Sequence, residues 1–252
     1  MKLNRKTKKK VLLRKRTALY EQALDLYFND YNIDEALNIL FGLADSGFKK
    51  AYGQIGNILY MERIDVQTAE KWFVKAEEHG ALSSSAAYQY GMLIYLEKRD
   101  WEKGLRYLLS AAEQGYELAY GDIGIILYME KYDYSSAEKW FAKAEENDVL
   151  LAPAAYYYGF ILQTERNEQE KCKKYFIKAA EEDFEPAYGE YASLLYMDQK
   201  DIDKAELYFN KAEEANTLYA PHAYTFGELL INERNEFERG KKYIELAEAD
   251  GY

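Results

Sequence analysis

The sequence predicts an all-α fold of about seven stacked helix pairs, and three observations carry that prediction. Small residues recur in columns at fixed offsets. Apolar residues inside each segment fall at helical spacing. Whole dozens of residues are also rewritten at a constant interval: "AYGQIGNILYME" begins at Ala51, "AYGDIGIILYME" at Ala119 and "AYGEYASLLYMD" at Ala187, each sixty-eight residues after the last. Such self-similarity is the mark of a repeat architecture and is sought before any single element is read.

The first column runs Ala23, Gly56, Gly91, Gly124, Gly159, Ala192 and Gly227. Thirteen residues after each stands Ala36, Ala69, Gly104, Ala137, Cys172, Ala205 or Gly240, and seven further on alanine returns as Ala76, Ala111, Ala144, Ala179, Ala212 and Ala247. Seven units follow, near 18–50, 51–85, 86–118, 119–153, 154–186, 187–221 and 222–252. The second half of each is an amphipathic helix. In "SSAEKWFAKAEEN", Ala137, Trp140, Phe141 and Ala144 fall at i, i+3, i+4 and i+7, as do Ala69, Trp72, Phe73 and Ala76. The first half, as in "AYGDIGIILYME", is a helix that keeps glycine at a cost of about 1 kcal/mol against alanine. Glycine tolerated there means that another backbone passes close by. Two such helices make an antiparallel pair that cannot cover its own apolar face, so neighbours must stack.

The spacing along the first column alternates between 33 and 35 residues. The two extra residues lie between repeats, in "EEHGALSSSA", "ENDVLLAPA" and "EANTLYAPH", against the short "EQGYEL" and "EEDFEP". The true unit is therefore a four-helix block of sixty-eight residues. Side chains alternate with it. Three positions before the first column stand Tyr20, Gly53, Tyr88, Gly121, Tyr156, Gly189 and Tyr224, and four positions after it stand Tyr27, Tyr60, Tyr95, Tyr128, Gln163, Tyr196 and Ile231.

These motifs resemble the tetratricopeptide superfamily and, more closely, its Sel1-like branch. The A-x3-aromatic-x2-A signature is matched by Ala137, Phe141 and Ala144 after Gly124, and "AEKWFVKAEEHG" over 69–80 is similar to a Sel1-like second helix. The resemblance covers about residues 18–252 as a single domain. It implies a right-handed α-α superhelix whose first helices line a concave wall. The linkers inside the repeats are shorter than Sel1-like units have and lack their glycines, and the proline after the second helix survives only as Pro153, Pro186 and Pro221.

Composition narrows the function classes. Hydrophobic residues make up 48% of the 252, so a packed core is expected. The single cysteine, Cys172, excludes an internal disulfide framework and fits a reducing cytoplasm. No apolar run reaches the roughly 20 residues of a membrane span. Residues 1–16 hold nine Lys or Arg and no acid, which leaves a body of 24 basic and 44 acidic residues, net −20. Residues 1–17 are expected as a flexible basic arm. The two histidines, His79 and His222, lack partners at metal-ligand spacing, and no phosphate loop or nucleophile elbow is present, so neither catalysis, a cofactor nor a metal is expected.

The expected function is a non-catalytic, cytoplasmic protein-binding scaffold that takes a protein or peptide, rather than a small-molecule substrate, in its concave groove. The candidate contacts are Tyr60, Tyr88, Tyr95, Tyr128, Tyr156, Tyr196 and Tyr224, because tyrosine combines a rigid apolar ring with a hydroxyl and is enriched at interfaces. The structural alternative is that rings of the Tyr20–Tyr224 series fill space beside neighbouring glycines. Trp72, Phe73, Trp140, Phe141, Tyr175, Phe176, Tyr208 and Phe209 are assigned to the core. Acidic pairs such as Glu77–Glu78, Glu145–Glu146 and Glu213–Glu214 serve solubility or favour a basic partner. Two other functions stay open: an immunity or antitoxin-like protein neutralising a bacterial toxin, and nucleic-acid or anionic-membrane association through residues 1–16. The last repeat, showing Tyr243 and Ile244, also allows weak homo-oligomerisation.

Overall fold

A computed structural model describes residues 4–252. Among them the chain is all helix, with fourteen α-helices in sequence. The contacts divide the chain into two compact units, one ending at Ala119 and the other spanning Tyr120–Tyr252. The first holds α1 (Arg5–Phe28), α2 (Ile33–Asp45), α3 (Lys50–Met61), α4 (Val66–Glu78), α5 (Ser84–Lys98) and α6 (Trp101–Glu113). In the second are α7 (Ala119–Met129), α8 (Tyr134–Glu146), α9 (Ala152–Phe160), α10 (Gln169–Glu181), α11 (Tyr188–Leu194), α12 (Ile202–Glu214), α13 (Ala220–Asn232) and α14 (Phe237–Ala249). Odd-numbered helices are the first of each pair and even-numbered ones the second. Two first helices, α9 and α11, end in π-helical turns at Ile161–Glu165 and Leu195–Gln199.

Each pair is locked where the first-column residue meets a side chain seventeen residues later. A Cβ added at Gly56 would lie 2.7 Å from the Phe73 ring, and one at Gly159 would lie 2.8 Å from Phe176. Gly124 stands against Phe141 in the same way. Phe73, Phe141 and Phe176 are all buried, so each ring packs on bare backbone. Where the second-helix column is also glycine, the backbones themselves approach. A Cβ on Gly227 would sit 2.7 Å from the Gly240 carbonyl, and one on Gly91 would sit 3.0 Å from that of Gly104.

The helix ends explain the sharp reversals. Asn32, Asp65, Asp100, Asp133 and Asp201 cap α2, α4, α6, α8 and α12, each side chain accepting a backbone N–H three residues on. The missing linker glycines are replaced by Tyr31, Arg63, Arg99, Tyr132, Asn167, Lys200 and Asn235, all with positive φ. The left-handed conformation costs a residue with a Cβ on the order of 1–2 kcal/mol. Tight pairing of the helices offsets that cost. Every second helix closes with a backbone bond from the second residue past its C-cap: Phe48 to Leu43, Ala81 to Ala76, Tyr116 to Ala111, Val149 to Ala144, Phe184 to Ala179, Thr217 to Ala212 and Tyr252 to Ala247.

The segment expected as a flexible arm does not break from the repeats at residue 17. From Arg5 it forms the opening turns of α1, with the Asn4 side chain accepting from the Thr7 N–H at 2.9 Å. Lysine, arginine and leucine are good helix formers, and neither Gly nor Pro interrupts the stretch. Residues 1–3 of the arm lie outside the described residues.

Substitution at two glycines separates steric demand from propensity. Gly56→Ala should destabilise the chain by about 1–3 kcal/mol, since Phe73 has nowhere to move. Gly42→Ala, in the interior of α2 with nothing within 4 Å of the new Cβ, should stabilise by roughly 0.5–1 kcal/mol. Chemical denaturation of both variants checks the opposite signs.

Candidate functional site

Three aromatic ladders tie each block together and account for many of the tyrosines. In the first unit the Phe73 ring stacks on Tyr90 at 5.3 Å, Tyr90 meets Tyr107 at 4.5 Å, and the Tyr107 hydroxyl donates to Glu77 at 2.8 Å. In the second unit Phe141, Tyr158 and Tyr175 repeat the run at 5.8 and 4.5 Å, ending on Glu145 at 2.8 Å. Phe209, Phe226 and Tyr243 do so again, ending on Glu213 at 2.6 Å. The first glutamate of each acidic pair is thus a hydrogen-bond acceptor for the next second helix. Burial and the bond to Glu213 push the Tyr243 hydroxyl up to about 12. Burial alone would raise Glu145, but the Lys174 ammonium and the Tyr175 hydroxyl outweigh it and hold that carboxyl below its ordinary value.

The rewritten "AYG" motif has its own purpose. Its tyrosine pairs with a second-helix ring, and a lysine lies over both. Lys75 Nζ is 4.7 Å from the Tyr52 ring centre and 4.5 Å from that of Trp72. Lys143 is 4.2 Å from Tyr120 and 4.9 Å from Trp140, and Lys211 is 5.1 Å from Tyr188 and 4.9 Å from Tyr208. Each contact contributes on the order of 0.5–1 kcal/mol. Trp72 and Trp140, expected in the core, are therefore half-buried.

The candidate tyrosines separate by environment. Tyr60 is a correction: expected to be open, it is only 6% exposed. Every residue from Ala51 to Tyr60 is buried, and the Arg63 guanidinium lies 5.3 Å from the Tyr60 ring centre. Tyr156 is a second correction. It is 7% exposed, enclosed by Phe160, Phe176 and Phe184 at 4.8, 6.0 and 5.3 Å. Tyr88, Tyr95, Tyr128, Tyr196 and Tyr224 are half-buried.

The glycine alternation is also explained differently from the expectation. A Cβ at Gly53 would meet Ala86 at 2.8 Å, one at Gly121 would meet Ala154 at 3.1 Å, and one at Gly189 would meet the His222 ring at 2.5 Å. These neighbours lie two residues before the tyrosines, so the rings do not fill the glycine gaps. Each tyrosine packs instead on the aromatic just past the second helix of its own repeat: Tyr20 on Phe48 at 5.7 Å, Tyr88 on Tyr116 at 4.8 Å, Tyr156 on Phe184 and Tyr224 on Tyr252 at 5.2 Å.

The second unit gathers a tyrosine patch that the two columns did not reveal. Tyr128 stands 5.2 Å from Tyr134 and 5.1 Å from Tyr157, and Tyr157 lies within electrostatic reach of Tyr219, itself 52% exposed. Among the described residues no hydrogen bond within the protein engages the hydroxyls of Tyr128, Tyr134 or Tyr157; partial burial raises Tyr128 and Tyr157 above the ordinary phenol value. The first helices of this unit, with their π turns, carry Asp122, Glu165, Glu190, Asp198 and Glu228 but no Lys or Arg. Every helical cation of this unit lies on a second helix. Both signals were present in the sequence, as "AYYYGF" and as this segregation of charge.

His222, expected to lack a partner at metal-ligand spacing, has its Nε2 3.2 Å from Glu190 and its Nδ1 3.2 Å from the Ser193 hydroxyl, neither of which makes a metal site. Ser193 already donates to the Gly189 carbonyl at 2.9 Å, so the cluster closes over the glycine rather than presenting a nucleophile. A cleft of about 320 Å³ beside it is lined by Gln163, Cys172, Lys173, Glu190, Ser193 and Asp198, among others. Burial pushes the Cys172 thiol up, against thiolate chemistry. Among the described residues no three His, Cys, Asp or Glu side chains gather where they could hold a metal, and no helix is long and apolar enough to cross a membrane.

No protein-family model matches the chain, and no curated protein matches it. Solved structures match its fold. A Sel1 repeat protein from Oxalobacter formigenes aligns over 92% of this chain and 99% of its own, at 19% identity and a TM-score of 0.61. A tetratricopeptide repeat protein from Parabacteroides merdae aligns over 95% and 94%, at 18% identity and 0.53. A protective antigen of uropathogenic Escherichia coli strains with an SLR fold aligns over 94% of this chain at 19% identity and 0.55. The chain spans 62% of that antigen's length. The fold is therefore a Sel1-like, tetratricopeptide-like helical repeat, as the sequence motifs implied.

The raised phenols give the ladders a pH signature. A neutral tyrosine is favoured in the folded chain, so its contribution is complete below pH 10 and is lost as pH rises toward about 12 for Tyr243. Thermal melts between these values should show a steeper loss for the parent chain than for Tyr243→Phe. At neutral pH, Tyr175→Phe should cost about 1–3 kcal/mol, the value of a part-buried hydrogen bond to a carboxylate.

Proposed function

We propose that the chain is a non-catalytic scaffold that captures a partner polypeptide on the first helices of its second unit. Tyr128 on α7 and Tyr157 on α9 supply ring surface there, with Tyr134 at the start of α8 and Tyr219 just before α13 beside them. Tyr196 and Tyr224, and in the first unit Tyr88 and Tyr95, extend the same use of tyrosine. Tyr60 and Tyr156, which the protein's own atoms cover, are left out. The observation that carries this reading is the half-exposed tyrosine patch with its hydroxyls open to a partner.

The partner is basic in this reading. Glu165 follows α9 and Glu228 lies on α13, and the first helices of this unit carry no cation beside them. A lysine or arginine of the partner can lie over a tyrosine face while a carboxylate neutralises it, an arrangement worth about 0.5–2 kcal/mol as desolvation deepens. The protein itself lays Lys75, Lys143 and Lys211 over tyrosine faces, and Lys211 adds an ion pair with Asp183. Catalysis has no place in this reading, since the His222 cluster is spent on closing Gly189.

Single substitutions separate binding from folding. Tyr128→Ala and Tyr157→Ala should weaken capture of a basic partner at least tenfold, about 1.4 kcal/mol, while Leu207→Ala on the exposed side of α12 leaves it unchanged. Isothermal titration and thermal melts read both quantities. Variants that melt early yet bind as the parent does would make these rings structural and end the proposal.

A further inference from the structure

The overhang of α1 is a basic helix with no covering element among the described residues. The Arg16 guanidinium reaches the carbonyl of Ser46, the C-cap of α2, so α2 ends level with Arg16. The eleven residues from Arg5 to Lys15 run on beyond it, about 16 Å at the rise of an α-helix. Lys6, Lys8, Lys9, Lys10, Arg14 and Lys15 are all exposed, and none forms an ion pair among the described residues. Between them Val11, Leu12 and Leu13 are 40, 49 and 57% exposed. Apolar side chains open to water on a helix of uncompensated positive charge fit a partner surface that is both apolar and acidic.

The first helices of the second unit have that chemistry. Glu165 and Glu228 form no ion pair among the described residues, and Tyr128 and Tyr157 of the tyrosine patch lie on the same set of helices. We infer that the overhang of α1 docks on the tyrosine-and-carboxylate face of a second copy of this chain, so that copies associate head to tail. The inference rests on the proposed function, since it names the occupant of the same face. Leu12 would lie on the rings, with Lys8, Lys9 and Lys15, which share its helix face, beside Glu165 and Glu228. A bilayer is the poorer occupant, because Val11, Leu12 and Leu13 are consecutive and fan around the helix axis instead of sharing one face.

Two full-length variants test this by complementation. One carries Lys8→Gln, Lys9→Gln, Lys10→Gln and Arg14→Gln, all at exposed positions; the other carries Tyr157→Ala and Glu228→Gln. In sedimentation velocity the parent should associate as its concentration rises and dissociate as salt is raised from about 50 to 500 mM, which shortens the Debye length several-fold. Each variant alone should be monomeric, and a mixture of the two should form a one-to-one pair. Circular dichroism confirms that both are folded. A parent that stays monomeric at all concentrations, a mixture that stays monomeric, or variants that associate as the parent does would overturn the inference. Binding of the overhang to heparin or anionic vesicles without self-association would overturn it equally. A labelled arginine-rich peptide of unrelated sequence separates the two readings. If the first variant binds it and Tyr157→Ala weakens that binding tenfold, the proposed function survives the loss of self-association. If no basic peptide binds, both fall.

Discussion

The structure depends on rings lying directly against helical backbone. Gly56, Gly124 and Gly159 lack the Cβ that would collide with Phe73, Phe141 and Phe176, and the two helices of each pair approach accordingly. Burying such a ring contributes about 1.5–3 kcal/mol, well above the roughly 1 kcal/mol that glycine costs a helix. The same closeness fixes the reversals. Short connections leave no room for a relaxed turn, and Tyr31, Arg63, Arg99 and their counterparts accept left-handed backbone as the consequence. Glycine column, crossing helices and strained reversals are one constraint.

The sixty-eight-residue unit follows from what closes each second helix. After α2, α6, α10 and α14 the closing residue is aromatic, namely Phe48, Tyr116, Phe184 and Tyr252, and it packs on the tyrosine that begins its own repeat. After α4, α8 and α12 it is Ala81, Val149 or Thr217, and the longer connections follow. The next first helix then brings Ala86, Ala154 or His222 onto the glycine that alternates with tyrosine. Odd and even repeats therefore use two different joints, and the period doubles.

The periodicity of the sequence made the pairs, the columns and the ring core legible, because each is a relation inside one repeat. Phe73, Phe141, Phe176 and Phe209 lie where the helical spacing puts them. Solvent access was not legible in the same way. Tyr60 and Tyr128 occupy one column, yet the first is covered and the second half-open, since coverage comes from neighbouring helices with their own sequences. Trp72 and Trp140 show the converse: their spacing is that of core residues, but a lysine occupies the outer side of each. Tyr157 escaped notice because it lies in neither column, although it stands between two tyrosines that are buried for different reasons. Tyr156 belongs to the closing aromatic cluster and Tyr158 to the ladder, and only the middle ring of the three is left half-open.

That middle ring stands apart from the way the framework uses its other tyrosines. The framework uses tyrosine in three ways that each occupy its ring or its hydroxyl: on a glutamate, beneath a lysine, or against a closing aromatic. Tyr128, Tyr134 and Tyr157 lie outside those positions, and among the described residues no hydrogen bond within the protein engages their hydroxyls. In the second unit such rings share their helices with carboxylates, while the lysines on the second helices are drawn into cation–π contacts and ion pairs. The chain's acidity is therefore not spread evenly over its surface. Helix packing leaves it on the same elements as the open rings, and the proposal of a basic partner rests on that coincidence more than on the net charge.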